Sequence, residues 1–210
     1  MEELGPRARP DQAVRVTSWP TSIKDAGPTL WALLWNPARV FDERRPAHDH
    51  ADALRFRIIT AAIPPLAVAA MLATGLGLGE QTAAGLGRLG GLEIGLAALT
   101  LLGLPALGVL GSLAFGAAAH AVLPDPAGSR SQTSTVVLLA FGVRAFCFLP
   151  GFELPTLFVA AGLVVFGLSR SPGVSALRAT VATGAGLGVA GLIQGLGVVA
   201  VLVLEAGLES

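Results

Sequence analysis

ATVATGAGLGVAGLIQGLGVVAVLVL, residues 179–204, contains no charged residue and no proline. A bilayer core of about 30 Å is crossed by roughly 20 apolar helical residues, so this stretch predicts a transmembrane helix. Working towards the N-terminus, 92–122 and 58–78 also have that length and contain no basic residue. Between 122 and 179 lies a further apolar tract, interrupted by LPGFELP at 149–155. Pro150, Gly151 and Pro155 oppose a continuous helix there. The reading is two shorter helices, 135–149 and 154–169, joined by a tight turn. A single re-entrant hairpin, leaving three crossings, is the alternative. The expected fold class is all-α: an integral membrane bundle of about five transmembrane helices over 58–210.

Composition agrees, because 53% of the residues are hydrophobic and only 13% are charged, too few charges for a soluble surface. The 14 basic and 14 acidic residues cancel, but their placement is uneven. Arg and Lys accumulate in cytoplasmic segments next to the spans, and most of the basic residues precede residue 58. With that segment inside, Arg130, Arg170 and Arg178 also fall inside, Arg88 lies outside and Arg144 is within a span. This predicts a cytoplasmic N-terminus and an outward C-terminus, as for a bacterial inner-membrane protein. MEELGPRARPDQ lacks the pattern of a secretory signal, so insertion is assigned to the first span. The single cysteine, Cys147, sits among apolar residues and reads as a packed thiol.

Residues 1–27 mix Pro, Gly, Arg and acids without periodicity and are expected to form a flexible cytoplasmic tail. Residues 28–57 read as an interfacial helix and linker. In PTLWALLWNPARVF (28–41) Pro28 can open a helix whose Trp31, Leu34 and Trp35 share one face, and Asn36-Pro37 ends it. Trp31, Trp35 and Arg39, with Arg44 and Arg45 nearby, suit a headgroup-level element; packing of the two indoles on the bundle is the competing reading. Arg55 and Arg57 mark the inner boundary of the first span. HDHAD places His48, His50 and Asp52 within five residues, and His120 falls on the same side. Imidazole with carboxylate can ligate a transition metal, yet the spacing fits no zinc pattern, so a solvated linker with no metal or cofactor is expected.

Inside the membrane, Arg144 is the costliest side chain and needs a partner or water. Glu93, then Glu153, are its expected carboxylates, with snorkelling as the alternative. Gly184, Gly188, Gly191 and Gly195, at steps of four, three and four, predict a close-packing stripe on the last span, and Gln194 an interhelical hydrogen bond. Gly108, Ser112 and Gly116 predict a second such face, on a helix loosened by Gly103 and Pro105. Gly186, Gly188 and Gly191 spell GxGxxG, but no strand precedes them, which removes the dinucleotide reading. HExxH, GxSxG and paired intramembrane aspartates are missing from the sequence, and Ser112 has only His120 near it, so no enzyme is expected.

The order of segments resembles the Ypt/Rab-interacting (Yip-one) domain family, in its bacterial form, over about residues 29–200. The resemblance is carried by LLWNPARVF (33–41), AFGAAAHAVL (114–123), FLPGFEL (148–154) and SRSPGVSALRATVA (169–182). The chain lacks tyrosine, with Phe141 near the place of a family Tyr, and lacks the eukaryotic Asp-Leu-Tyr-Gly-Pro signature. The resemblance implies a five-span protein and, in eukaryotic relatives, association with prenylated small GTPases. The expected function is non-enzymatic, by association with lipid, other membrane proteins or a second copy, and not with nucleic acid. A small transporter using Arg144, Glu93 and Gln194 along one polar path is the rival expectation.

Overall fold

Asn36 ends one helix and starts the next. Its amide donates to the Ala32 carbonyl at 2.8 Å, and its side-chain oxygen accepts from the Arg39 amide at 3.2 Å. Pro37 then occupies the first helical position, where its missing N–H costs nothing. The computed structural model describes residues 23–43, 50–74, 91–123, 129–149 and 151–208, and over these it is all-helical. The order is α1 (Ile23–Trp35), α2 (Pro37–Glu43), α3 (His50–Thr74), α4 (Gly91–Val122), α5 (Arg130–Ala140), a 3-10 helix (Phe141–Phe146), α6 (Glu153–Ser169) and α7 (Ala176–Leu208).

Helix α1 begins before Pro28, not at it, so the tail expected over 1–27 is corrected at its end. Ala26, Thr29, Leu30 and Leu33 form one buried face, and this burial outweighs the hydrogen bond that Pro28 removes. Residues 1–22 lie outside the described residues. The helix packs on α3 and the 3-10 helix, while α2 packs on α6. Phe41 of α2 stands against Phe166 at 6.2 Å between ring centroids.

Among the described residues, three helices are long and apolar enough to cross a membrane, through His50–Met71, Pro105–Val122 and Ala176–Gly197. Five such helices are not found. Helix α6 has 17 residues and α5 only 11. The latter starts at Arg130, five residues before the expected span, because Ser129 and Gln132 form a capping box: each side chain accepts from the other's amide, at 3.2 and 3.1 Å. Its Thr133, Ser134 and Thr135 are buried in protein and not in lipid. With Val136 to Val143 also buried, α5 and the start of the 3-10 helix form the centre of the bundle.

The α5–α6 hairpin turns through Gly151, whose φ of 79° is open to glycine and strained for other residues. Its depth follows from one aromatic pair. Phe141 meets Phe115 of α4 edge to face, with centroids 5.0 Å apart. From there the chain to Leu149 advances at most about 16 Å at a 3-10 rise of ~2 Å per residue. From the same Phe115 back to Gly91, α4 rises about 36 Å. The turn therefore stops about 20 Å short of the N-terminal end of α4.

The α4–α7 contact is the most extensive between helices, and specific glycines permit it. A Cβ on Gly186 would meet the Phe115 ring at 2.5 Å, and one on Gly197 would meet Leu107 at 2.9 Å. Gly184, Gly188, Gly191 and Gly195 have nothing within 4 Å and are exposed. The expected stripe is thus corrected within the chain: the face that packs is offset from it, because Phe115 and Leu107 project onto Gly186 and Gly197. Gly116 of the second predicted face does pack, with its Cβ position 3.1 Å from the Ser134 backbone. Gly173, at φ 78°, follows Pro172 in a turn closed by the Val174 amide on the Ser171 carbonyl at 3.2 Å, the residue order of a type II turn.

Candidate functional site

Arg57 lies eight residues into α3 and is 5% exposed, although the sequence reads it as a boundary marker. A guanidinium that deep needs its donors matched, and one turn of α4 supplies the acceptors. The Nε–H donates to Ser112 Oγ at 3.0 Å, and Nη2 donates to the Gly108 carbonyl at 3.2 Å. The Ser112 hydroxyl, having accepted from arginine, donates to the same Gly108 carbonyl at 2.8 Å. The result is a closed three-membered network gathered on one carbonyl of the helix.

The residue types follow from this geometry. A Cβ on Gly108 would stand 3.1 Å from Nη2, so glycine lets the guanidinium reach the helix backbone. Ser112 is one turn later on the same face, at the i+4 spacing that returns its hydroxyl to the Gly108 carbonyl. On α3, Thr60 is buried and donates to the Arg57 carbonyl at 3.1 Å. The predicted small-residue face of Gly108, Ser112 and Gly116 is therefore an arginine cradle as well as a packing surface. Its signal in the sequence was a Gly-x-x-x-Ser step on the helix following a span that opens with arginine.

The network is not electrically neutral. Phe56 packs its ring on Gly142, so closely that a Cβ there would overlap it, and this sets α3 against the 3-10 helix. Two residues further along the same 3-10 helix stands half-buried Arg144. Among the described residues neither arginine has an ion pair, and the Arg144 side chain has no hydrogen bond, although its carbonyl accepts from the Cys147 amide at 3.0 Å. The third nitrogen of Arg57, Nη1, also has no hydrogen-bond partner. Asp52 is engaged elsewhere, with Arg55 at 3.0 Å.

The pairing expected of Arg144 with Glu93 falls on a side chain outside the described residues. Glu153 is exposed and its charge reaches Cys147, as does that of Arg144. Gln194 is exposed on α7 without the interhelical hydrogen bond expected of it. Among the described residues, no hydrogen bond or ion pair joins Arg144 to Gln194.

Of the other predicted positions, Trp31 and Trp35 are 64% and 71% exposed, with their rings 5.3 Å apart. The burial of α1 uses its opposite face, so packing of these indoles on the bundle is overturned. Arg39 is exposed at the start of α2. His120 shares a hydrogen bond between Nδ1 and Thr133 Oγ1 at 3.2 Å, and half-buried His50 has an enclosed Nδ1 without a partner among the described residues. His48 lies outside the described residues, and no cluster of three His, Cys, Asp or Glu occurs among the described ones. No family profile, curated protein or solved structure matches the chain.

Proposed function

We propose that the chain is a non-enzymatic integral membrane protein of Yip-domain type that acts by association with lipid or with other membrane proteins. The observation carrying this reading is the apolar exterior. Leu66 on α3, Leu110 on α4, Phe158 on α6 and Leu192, Leu196 and Val203 on α7 are each at least 55% exposed. Such an exterior suits hydrocarbon as solvent. The paired Trp31 and Trp35 add an amphipathic surface for the headgroup region.

In this reading α3, α4 and α7 cross the membrane and the α5–α6 hairpin is re-entrant, with the N-terminus cytoplasmic and the C-terminus outside. Two observations support it over five crossings. The turn stops about 20 Å short of the end of α4. In addition, α1 touches the 3-10 helix, which an element at the cytoplasmic surface reaches only if the hairpin tip stays on that side.

The test is reconstitution of the purified chain into vesicles, with solute flux and bound lipid both measured. Co-purified lipid retained under native mass spectrometry, with iodide and phosphate flux no faster than in empty vesicles, is the expected result. Saturable flux would replace association by transport.

A further inference from the structure

We propose that α1 is a bilayer-held clamp on the α5–α6 hairpin: its Trp31, Leu34 and Trp35 face takes the phospholipid headgroup layer, and its opposite face keeps the 3-10 helix closed against α3. The proposal rests on the membrane reading above and goes past it by coupling lipid contact to the hairpin. Helix α1 presents two distinct faces. Ala26, Thr29, Leu30 and Leu33 are each at most 6% exposed, while Gly27, Pro28, Trp31, Leu34 and Trp35, at helical spacing on the other side, are exposed. A helix of 13 residues with a proline inside is marginal by itself. Its stability therefore depends on what covers these faces.

The inner face meets protein. Helix α1 packs on α3 and on the 3-10 helix, and α2, joined to it through Asn36, packs on α6. There the Phe41 ring stands 6.2 Å from that of Phe166 and 3.0 Å from the Cβ position of Gly167. Together α1 and α2 touch both arms of the hairpin. A clamp has most effect on the 3-10 helix, because hydrogen bonds of that type are poorly aligned and such a stretch marks a hinge.

The outer face suits lipid by its chemistry. Its two indoles, 5.3 Å apart between centroids, form one amphipathic surface of the residue type that concentrates at membrane–water boundaries. Its level agrees: α3, on which α1 lies, exposes its first large apolar side chain among the described residues at Ile58. Helix α1 thus borders the start of the lipid-facing exterior. Over residues 23–45 Lys24, Arg39, Arg44 and Arg45 stand against Asp25, Asp42 and Glu43, a single excess positive charge. The occupant is therefore a zwitterionic headgroup layer, held by indole burial and not by attraction to anionic lipid.

The experiment uses the full chain in phosphatidylcholine vesicles, with insertion read separately by flotation. Trp19→Phe leaves Trp31 and Trp35 as the only tryptophans, and their emission is followed with bromines placed shallow or deep in the acyl chains. Stronger quenching by shallow bromines is expected, to the same extent when about a third of the lipid is phosphatidylglycerol. Cys147, the one cysteine, donates its amide to the Arg144 carbonyl at 3.0 Å, so its rate of reaction with N-ethylmaleimide reports the state of the 3-10 helix. W31S/W35S is expected to raise that rate by about threefold or more. W35S alone is expected to raise it less, and serves should the double variant not fold. L192S, which removes exposed apolar surface on α7 instead, is expected to leave it unchanged. Failure of the chain to float overturns the membrane reading and this proposal with it. In chain that does float, three results overturn the proposal alone: no quenching, quenching only with phosphatidylglycerol, or shielding that follows the protein-to-lipid ratio, as for a second copy on this face. So does a Cys147 rate unchanged in the Trp variants, or raised equally by L192S.

Discussion

Arg57 of α3 donates to Ser112 of α4 across 3.0 Å, and the same serine donates to the Gly108 carbonyl that accepts from Arg57 Nη2. Because each acceptor is also a neighbour of the next, loss of one member leaves a charged group unmatched, at a cost larger than an ordinary hydrogen bond.

S112A should therefore destabilise the folded bundle by about 1–3 kcal/mol, the penalty for an unmatched buried donor. R57L alone should also destabilise, and the double variant should cost clearly less than the sum, as for groups in contact. Thermal unfolding in detergent measures all three, and strict additivity would remove the network from the account.

Substitution of glycine on α7 separates the face that packs from the face that only looks as though it should. Gly186→Leu drives a side chain into the Phe115 ring and should cost about 1–3 kcal/mol or more by overpacking. Gly188→Leu points into open space and should stay within about 0.5 kcal/mol. Equal losses would mean that the exposed stripe is covered by a second copy, and a concentration-dependent midpoint would then be seen.

Accessibility decides the hairpin. In a Cys147→Ala background the chain has no other cysteine, so Glu153→Cys reports one exposed position at the turn. A membrane-impermeant maleimide added outside intact cells should leave it unlabelled, while Ser210→Cys should react. Labelling of both would restore the five-crossing arrangement.

Gly173→Ala isolates backbone strain from crowding. Nothing lies within 4 Å of its Cβ position, yet its φ is 78°, so a loss of about 1 kcal/mol is expected from conformation alone. No change in the unfolding midpoint would show that the Ser171–Val174 turn relaxes freely.

Much of this protein was legible in its sequence because it depends on local chemistry. Long charge-free runs demanded helices, Asn36-Pro37 ended α1, and the LPGFELP stretch around Gly151 placed a turn. Each follows from the propensity and hydropathy of neighbouring residues. The capping box at Ser129 and Gln132 was equally local and marks a helix start that hydropathy alone put too late.

What only the tertiary structure decided is which faces meet. A helical glycine stripe is symmetric information until a neighbour's side chain projects onto it, and Phe115 selected Gly186 over Gly184 and Gly188. Hydropathy measures how apolar a segment is and not how far along its neighbours it reaches, so the depth of the hairpin waited on the Phe115–Phe141 contact. Arg57 looked like a boundary residue because charge at the start of a span usually means headgroups. Its burial depends on a carbonyl and a hydroxyl on another helix, 51 and 55 residues away in the chain, and no local pattern around Arg57 carries that information.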